Sequence, residues 1–110
     1  MSAAAGEVLR VWRGAARPSD VTTYLAHFRD RVEPALCALA GFRGAEVLTR
    51  PAGALVEIVV QTRWTSLDAV KAFAGSDPDV AVVEPEAVAM LAEHDPFVRH
   101  FTVAHARTHQ

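Results

Sequence analysis

Apolar residues recur along the first third of the chain with two different periods. Residues 7–14, EVLRVWRG, are rich in β-branched and aromatic side chains and end at a glycine, which predicts a strand. Farther along, four apolar residues are separated by steps of four, three and four, and this spacing predicts one face of a helix. They are Val21, Leu25, Phe28 and Val32. Pro34 lacks an N–H group and clashes with the preceding turn, so the helix is expected to end or kink there.

The rest of the pattern predicts a hairpin, a helical region and a last strand. Residues 42–64 contain two strand-like runs around RPAG, where proline and glycine favour a turn. Thr65 is then expected to cap a helix. Residues 76–95 predict a short turn of helix followed by a longer one, and residues 95–105 predict a strand. The order β-α-β-β-α-β predicts an α+β, ferredoxin-like fold with an antiparallel four-stranded sheet.

The two faces of the predicted third strand carry different side chains. One face is apolar and suits packing under helices, whereas the other mixes bulky apolar and charged residues. The first consists of Val56, Ile58, Val60 and Thr62, and the second of Leu55, Glu57, Val59, Gln61 and Arg63. Large apolar side chains should not remain in water, so we expect a second copy of the chain to cover this face in a homodimer. The candidates for charge pairs across that interface are Arg10, Glu57, Arg63 and Arg99.

Composition narrows the class of protein. The chain has 110 residues, of which 51% are hydrophobic, so we expect a single domain over residues 1–110 with its core at about 7–105. The net charge of −2 argues against nucleic acids and membrane surfaces as partners, since both would require a basic patch. The single cysteine and the lack of signal-peptide features at the start of the chain predict a cytoplasmic protein.

Two stretches of the sequence resemble a known family. Residues 41–75, GFRGAEVLTRPAGALVEIVVQTRWTSLDAVKAFAG, combine a Gly-Phe pair, a hairpin and a tryptophan that opens a helix of the W-x-S-x-x-A type. The later segments AVVEPEA and FVRHFTV add to the likeness. Over residues 7–105 the chain resembles the antibiotic biosynthesis monooxygenase domain, and the junction at the tryptophan is the most specific part of the resemblance.

This resemblance implies a dimeric α+β barrel, in which the sheets of two ferredoxin-like units close against each other, and a cavity between sheet and helices in each unit. Members include oxygenases that oxidise aromatic polyketides without metal or flavin, haem-degrading enzymes, quinol oxygenases and cyclases of related fold. The haem-degrading members use an asparagine, a tryptophan and a histidine. This chain has no asparagine, and no histidine lies on the helix that follows Trp64, so that set cannot be completed.

The resemblance implies that Trp64 lines the cavity. The alternative is that Trp64 is a core residue that closes the corner between strand and helix, with a partner for its indole N–H. Val60 lies two side-chain positions back on the same face of the strand. Phe28 and Ile58 are the further candidates for contacts with a hydrophobic ligand.

Two titratable side chains are candidates for chemistry. His100 lies on a strand expected to be buried and could act as a base or a hydrogen-bond donor near neutral pH. The alternative is a histidine fully bonded in the core or the interface. Tyr24 lies beside the apolar helical face, so its hydroxyl could point into the cavity, whereas His27 is expected to face solvent. Arg10 is expected to be an interface charge rather than an anion receptor, although the sequence does not say which face of the first strand lies under the helices. The histidine spacings do not predict a metal site.

Three functions therefore stay open. The first is a cofactor-free monooxygenase that binds an aromatic or polyketide-like metabolite in a dry cavity and stabilises its anion with a few polar groups. The second is a polyketide cyclase that uses the same cavity to fold its substrate. The third is a dimer that binds a small hydrophobic molecule without catalysis. Two or more candidate polar side chains that meet in one pocket would favour catalysis.

Overall fold

A computed structural model describes residues 5–109 of the chain. This range contains five strands: β1 (Val8–Ala16), β2 (Phe42–Ala52), β3 (Leu55–Trp64), β4 (Glu93–His94) and β5 (Arg99–Thr102). The α-helices are α1 (Val21–His27), α2 (Glu33–Cys37), α3 (Leu67–Ala74) and α4 (Pro85–Met90). A 3₁₀ turn (Pro18–Asp20) precedes α1, and a π-helical segment (Phe28–Val32) joins α1 to α2. Within the described range, no helix is long and apolar enough to cross a membrane.

The sheet is antiparallel, with the order β2-β3-β1-β4, and β5 also pairs with β1. This arrangement confirms the predicted ferredoxin-like fold. The last strand differs from the prediction because it is divided: β4 pairs with Gly14 and Ala15, and β5 pairs with β1 between Val8 and Val11. Pro96 lies in the interruption, where its missing N–H cannot contribute to the ladder.

The helix continues past Pro34 rather than ending there. In the π-helical segment the chain takes a wider turn, and the backbone N–H of Glu33 donates to the carbonyl of Phe28, five residues back. Pro34 then lies in the first turn of α2, where no N–H is required. The predicted apolar face is also partly wrong, because Leu25 is 38% exposed. The buried side chains of this region are Tyr24, His27, Phe28 and Leu36.

Two smaller expectations are corrected. The residue that caps α3 is Ser66, whose side chain accepts a hydrogen bond from the backbone N–H of Ala69, and not Thr65. Before α4 there is no additional turn of α-helix. That segment is extended at Val80, which forms an isolated β-bridge with Phe97.

The helices cover one face of the sheet, and the pairing register decides which strand residues lie beneath them. Arg10 and Trp12 of β1 are opposite Thr62 and Val60 of β3, so all four lie on the helix side. Ile58 and Thr62 are buried there, as the alternation along the third strand predicts. Arg10 therefore faces the helices, and its predicted place among the interface charges is wrong.

We call the opposite side of the sheet the open sheet face; it includes Leu48, Val59 and Phe101. Leu48 is 45% exposed and Phe101 47% exposed within one chain. Charged residues on this face pair inside the chain: Glu57 binds both Arg13 and Arg50, with a distance of 2.6 Å from Arg13 Nε to Glu57 Oε2. These hydrogen bonds hold the pKa of Glu57 below its usual value.

Arg63 likewise bonds to Glu46 on the neighbouring strand β2. Glu57 and Arg63, two of the expected interface charges, thus each have a partner within the sheet of one chain. Arg99 instead lies over the ring of Phe101, with its guanidinium carbon 5.4 Å from the ring centroid.

Candidate functional site

A cavity of about 90 Å³ lies between the sheet and the helices. β1 and β3 form its floor, α1 and the π-helical segment form one wall, and residues 82–84 with α4 form another. Most of the lining is apolar. Five polar or ionisable side chains also line it: Arg10, Tyr24, His27, Thr62 and Glu84.

Trp12 and Tyr24 form an aromatic wall of this cavity. Their rings are nearly parallel, at an interplanar angle of 19° and a centroid distance of 6.4 Å. The indole N–H of Trp12 donates to the carbonyl of Asp95 at 3.0 Å, which fixes the ring. Burial raises the pKa of Tyr24 to about 12, so its hydroxyl is protonated at neutral pH and can donate a hydrogen bond.

His27 lies one helical turn after Tyr24 and turns the same way, towards the sheet. Its side chain is only 5% exposed, so the expectation that it faces solvent is wrong. Within residues 5–109 its Nε2 has no hydrogen-bond partner. The nearest carboxylate oxygen, Oε1 of Glu84, is 3.8 Å away, and both residues line the cavity. A buried imidazole nitrogen without a partner is unfavourable for the fold, and a ligand group that reached it would supply the missing hydrogen bond.

Arg10 enters the cavity lining from β1 and is only 4% exposed. Its guanidinium donates from Nη1 to the carbonyl of Pro78 and from Nη2 to the carbonyl of Val80, the latter at 2.9 Å. Nη1 also lies 3.1 Å from Nε2 of His100. The guanidinium carbon lies 5.8 Å from the centroid of the Phe73 ring, which also lines the cavity.

His100, a sequence candidate for catalysis, lies behind Arg10 and does not line the cavity. Its Nδ1 is 3.2 Å from Oδ1 of Asp79, so the ring bridges an arginine and a carboxylate. Burial and the charge of Arg10 lower the pKa of His100, against the opposing effect of Asp79. Within the described residues there is no group of three His, Cys, Asp or Glu side chains arranged to hold a metal ion.

Trp64, the most specific residue of the sequence pattern, is fully buried and does not line the cavity. Its indole N–H donates to Oγ1 of Thr62 at 2.8 Å, and its ring packs against Phe42 and Phe73 at centroid distances of 5.4 and 6.1 Å. This packing agrees with the alternative interpretation, in which Trp64 is a core residue. Ile58 is also fully buried in the core and absent from the cavity lining.

Of the six residues that the sequence selected, three line the cavity: Tyr24, Phe28 and Val60. Trp12, His27 and Glu84 also line the cavity and were not among the sequence candidates, and Arg10 lines it in place of the interface role expected for it. A signal for His27 was available, because it follows Tyr24 by three residues on a helix. No comparable signal exists for Glu84, which reaches the cavity only through the path of the loop before α4.

The fold and the site together define a class of protein: a ferredoxin-like α+β chain with an apolar cavity, carrying a few polar groups, between its sheet and its helices. The sequence pattern of the family described as antibiotic biosynthesis monooxygenase matches residues 8–106, and the chain belongs to this family. Among curated proteins, none matches its sequence significantly.

Two solved structures of similar fold are oxygenases. One is a monooxygenase from the ActVA-Orf6 gene of Streptomyces coelicolor in complex with nanaomycin D, with 17% identity, a TM-score of 0.64 and coverage of 96% of this chain and 94% of that one. Another is SnoaB, a cofactor-independent oxygenase from Streptomyces nogalater, with 20% identity, a TM-score of 0.55 and coverage of 96% and 97%. At these identities the likeness supports the fold alone.

Proposed function

We propose that this protein is a cofactor-independent monooxygenase that acts on a hydrophobic aromatic metabolite with an acidic C–H or O–H group. The observation that carries the proposal is His27, a residue of the cavity lining whose buried Nε2 has no hydrogen-bond partner within residues 5–109. The family membership and the oxygenase activity named for SnoaB support the same reaction class.

The proposed chemistry begins with proton transfer from the ligand to Nε2 of His27. Glu84, 3.8 Å away, stabilises the imidazolium that forms. The hydroxyl of Tyr24 donates a hydrogen bond to the ligand anion, since burial keeps its pKa at about 12. The apolar surroundings exclude water from that anion.

The electrons for the reaction come from the ligand. A ring CH₂ group that lies opposite a carbonyl and is conjugated with it through the flanking aromatic rings, as in an anthrone, loses its proton to His27 and becomes an electron-rich enolate that reduces O₂. In total the CH₂ group gives up two hydrogens and four electrons and becomes a carbonyl. One oxygen atom of O₂ enters that carbonyl, and the other leaves as water.

The size of the cavity sets a condition on this function. Its volume of about 90 Å³ is below the roughly 300–1,000 Å³ typical of ligand pockets, so a single ring fits more readily than three fused rings. Binding of a polycyclic metabolite requires residues 82–84 and α4 to move outward. That wall is short and its outer residues Val82 and Val88 are exposed, so it has little packing to lose.

We also propose a homodimer formed through the open sheet face. Support comes from the exposed side chains of Leu48 and Phe101 on a sheet that has helices on its other face only. Because Glu57 and Arg63 already have partners within the chain, the interface can be largely apolar without leaving buried charges unpaired. We further propose a cytoplasmic location, where the single thiol stays reduced.

Oxygen consumption with dithranol, a dihydroxylated anthrone, tests the proposed function. With catalytic protein and a metal chelator, we expect O₂ uptake above the protein-free rate, with one O₂ consumed per dithranol and the corresponding quinone as product. His27→Gln should reduce the enzymatic rate by about 100-fold, in the range of general-base catalysis. The control is His94→Gln, because His94 is exposed on β4.

The same experiment separates the other candidate functions. If the ligand binds but the O₂ uptake equals that of the protein-free control, the protein is a binding protein or a cyclase and the oxygenase proposal is wrong. If His27→Gln and His94→Gln both keep the wild-type rate, the oxygenase activity stands and the role of His27 is wrong.

A further inference from the structure

We propose that Arg10 forms an anion-binding subsite of the cavity, which takes the oxyanion of an aromatic carboxylate or phenolate, and that His100 and Asp79 position the guanidinium. The inference rests on the proposed function only in taking the cavity as the ligand site. It requires no oxygenase activity. It concerns the positively charged Arg10 of the lining, whereas Glu84 is the acidic residue of the same lining.

Arg10 has hydrogen-bond donors that the described residues leave unused. A guanidinium has five N–H groups and no acceptor. Three of the five are used, by the carbonyls of Pro78 and Val80 and by Nε2 of His100. Within residues 5–109 the other two, one on Nε and one on Nη2, have no acceptor. A ligand oxyanion in the cavity can accept both, as carboxylates do in bidentate pairs with arginine.

The positive charge of Arg10 lacks a direct counter-ion among the described residues. Arg10 is 4% exposed, and in the described part of the chain its guanidinium makes no salt bridge with a carboxylate. Among the described residues, Asp79 supplies the carboxylate at the end of this hydrogen-bond chain, and it contacts His100 rather than Arg10. Burial of a cation without a direct counter-ion is unfavourable. An anionic ligand would supply the missing charge, whereas a neutral isostere would not.

The contacts of His100 with Arg10 and Asp79 determine which of its ring nitrogens carries the proton. Arg10 can only donate, so Nε2 of His100 must accept, and the proton of the neutral ring must then be on Nδ1, which donates to Asp79. Protonation of Nε2 would remove the acceptor and place two positive groups 3.1 Å apart. Arg99 and Asp77 are the other charged residues on the shallow surface beside His100. Acidification should therefore release Arg10 from its position.

Binding of a matched pair of small ligands tests the subsite. Benzoate and benzamide have nearly the same shape and differ in charge, and either one fits a cavity that holds a single ring. In NMR titrations of the wild-type protein at pH 7.5, we expect benzoate to bind at least about tenfold more tightly than benzamide. Arg10→Gln should bring that ratio close to one. Arg17→Gln, a change at an exposed arginine paired with Asp20, should leave it unchanged.

The pH dependence of the ratio tests the role of His100. Between pH 7.5 and 5.5 benzoate remains an anion, because a carboxyl group titrates near pH ~4. The wild-type preference for benzoate should fall over this range. His100→Gln should keep the preference at every pH, since a Gln side chain can accept from Arg10 and donate to Asp79 and does not titrate. His100→Ala should weaken it throughout.

The results that overturn the proposal are distinct from failure of the oxygenase. Equal affinities for benzoate and benzamide in the wild type, or no binding of either at millimolar concentration, would contradict the subsite. A preference that survives Arg10→Gln would do the same. If Arg10→Gln does not fold, the wild-type ratio and the comparison with His100→Gln decide. An Arg10-dependent preference without O₂ uptake would leave the subsite standing and remove the oxygenase.

Discussion

The indole N–H of Trp64 donates a hydrogen bond to Oγ1 of Thr62 at 2.8 Å, and only Thr62 of this pair lines the cavity. The tryptophan therefore acts on the site indirectly, by holding a floor residue from inside the core. Trp12, on the neighbouring strand, is the tryptophan that lines the cavity. The two residues thus allow packing and ligand contact to be tested separately.

Trp64→Ala should destabilise the protein by about 3–5 kcal/mol, because the ring is fully buried and packed on both sides. Trp12→Ala should lower the affinity for benzoate by about tenfold or more, since it removes a wall of the cavity. Urea unfolding measures the first effect and NMR titration the second. If folded Trp64→Ala protein lost more affinity for benzoate than Trp12→Ala does, Trp64 and not Trp12 would be the tryptophan that contacts the ligand.

Tyr24 should ionise at an unusually high pH. Burial raises its pKa to about 12 from the usual value of 10.0, and it is the only tyrosine in the chain. Absorbance at 295 nm therefore reports this hydroxyl alone. The raised pKa also means that the protein loses stability as the pH rises above 10, where the unfolded chain can ionise Tyr24 and the folded chain cannot. Titration in concentrated urea is the control and should return a value near 10; a midpoint near 10 in the native protein would be inconsistent with a buried Tyr24.

His100 should make the protein less stable in mild acid. Its pKa is lowered in the folded state, first by burial and then by Arg10, so the unfolded state binds the proton more readily. The stability that comes from neutral His100 is present above the usual value of 6.5 and is lost as the pH falls below it. Thermal unfolding between pH 7.5 and 5.5 should show a larger loss for the wild type than for His100→Gln. Equal losses in the two proteins would mean that His100 titrates alike in both states.

The open sheet face should make the protein a dimer. Light scattering at micromolar concentration should give twice the mass of one 11.9 kDa chain, and the interface should bury about 2,000 Å² or more. Phe101→Glu should shift the protein towards the monomer, because it places a charge in the apolar face. Val88→Glu, on the exposed side of α4, is the matched control. A wild-type monomer under these conditions would exclude the proposed assembly.

The sequence was sufficient for the fold and for part of the cavity. Alternation with period two assigns Ile58, Val60 and Thr62 to one face of β3, since a strand leaves no other choice. The same alternation on β1 separates Arg10 and Trp12 from their neighbours but does not say which set lies under the helices. The pairing with β3 decides that. Such pairing depends on contacts between distant parts of the chain: Arg10 and its partner Thr62, for example, are about 50 positions apart.

The helix that contains His27 illustrates a second limit. The regular spacing from Val21 to Val32 assumes 3.6 residues per turn, whereas the π-helical segment before Pro34 widens one turn and changes the direction of the side chains around it. His27 and Leu25 lie in α1, before this segment, where His27 is buried beside Tyr24 and Leu25 is 38% exposed. Glu84 reaches His27 through the loop before α4, and local periodicity carries no information about such a meeting.

The most direct test of the central claim is proton abstraction by His27 in the absence of oxygen. When dithranol is mixed anaerobically with an excess of protein at pH 7, we expect its long-wavelength anion absorbance to appear with the wild type and with His94→Gln. With His27→Gln it should be absent, although that variant still binds dithranol. Anion formation of equal size with His27→Gln, or none with the folded wild-type protein when dithranol is bound, would contradict the claim that this buried imidazole is the base of the site.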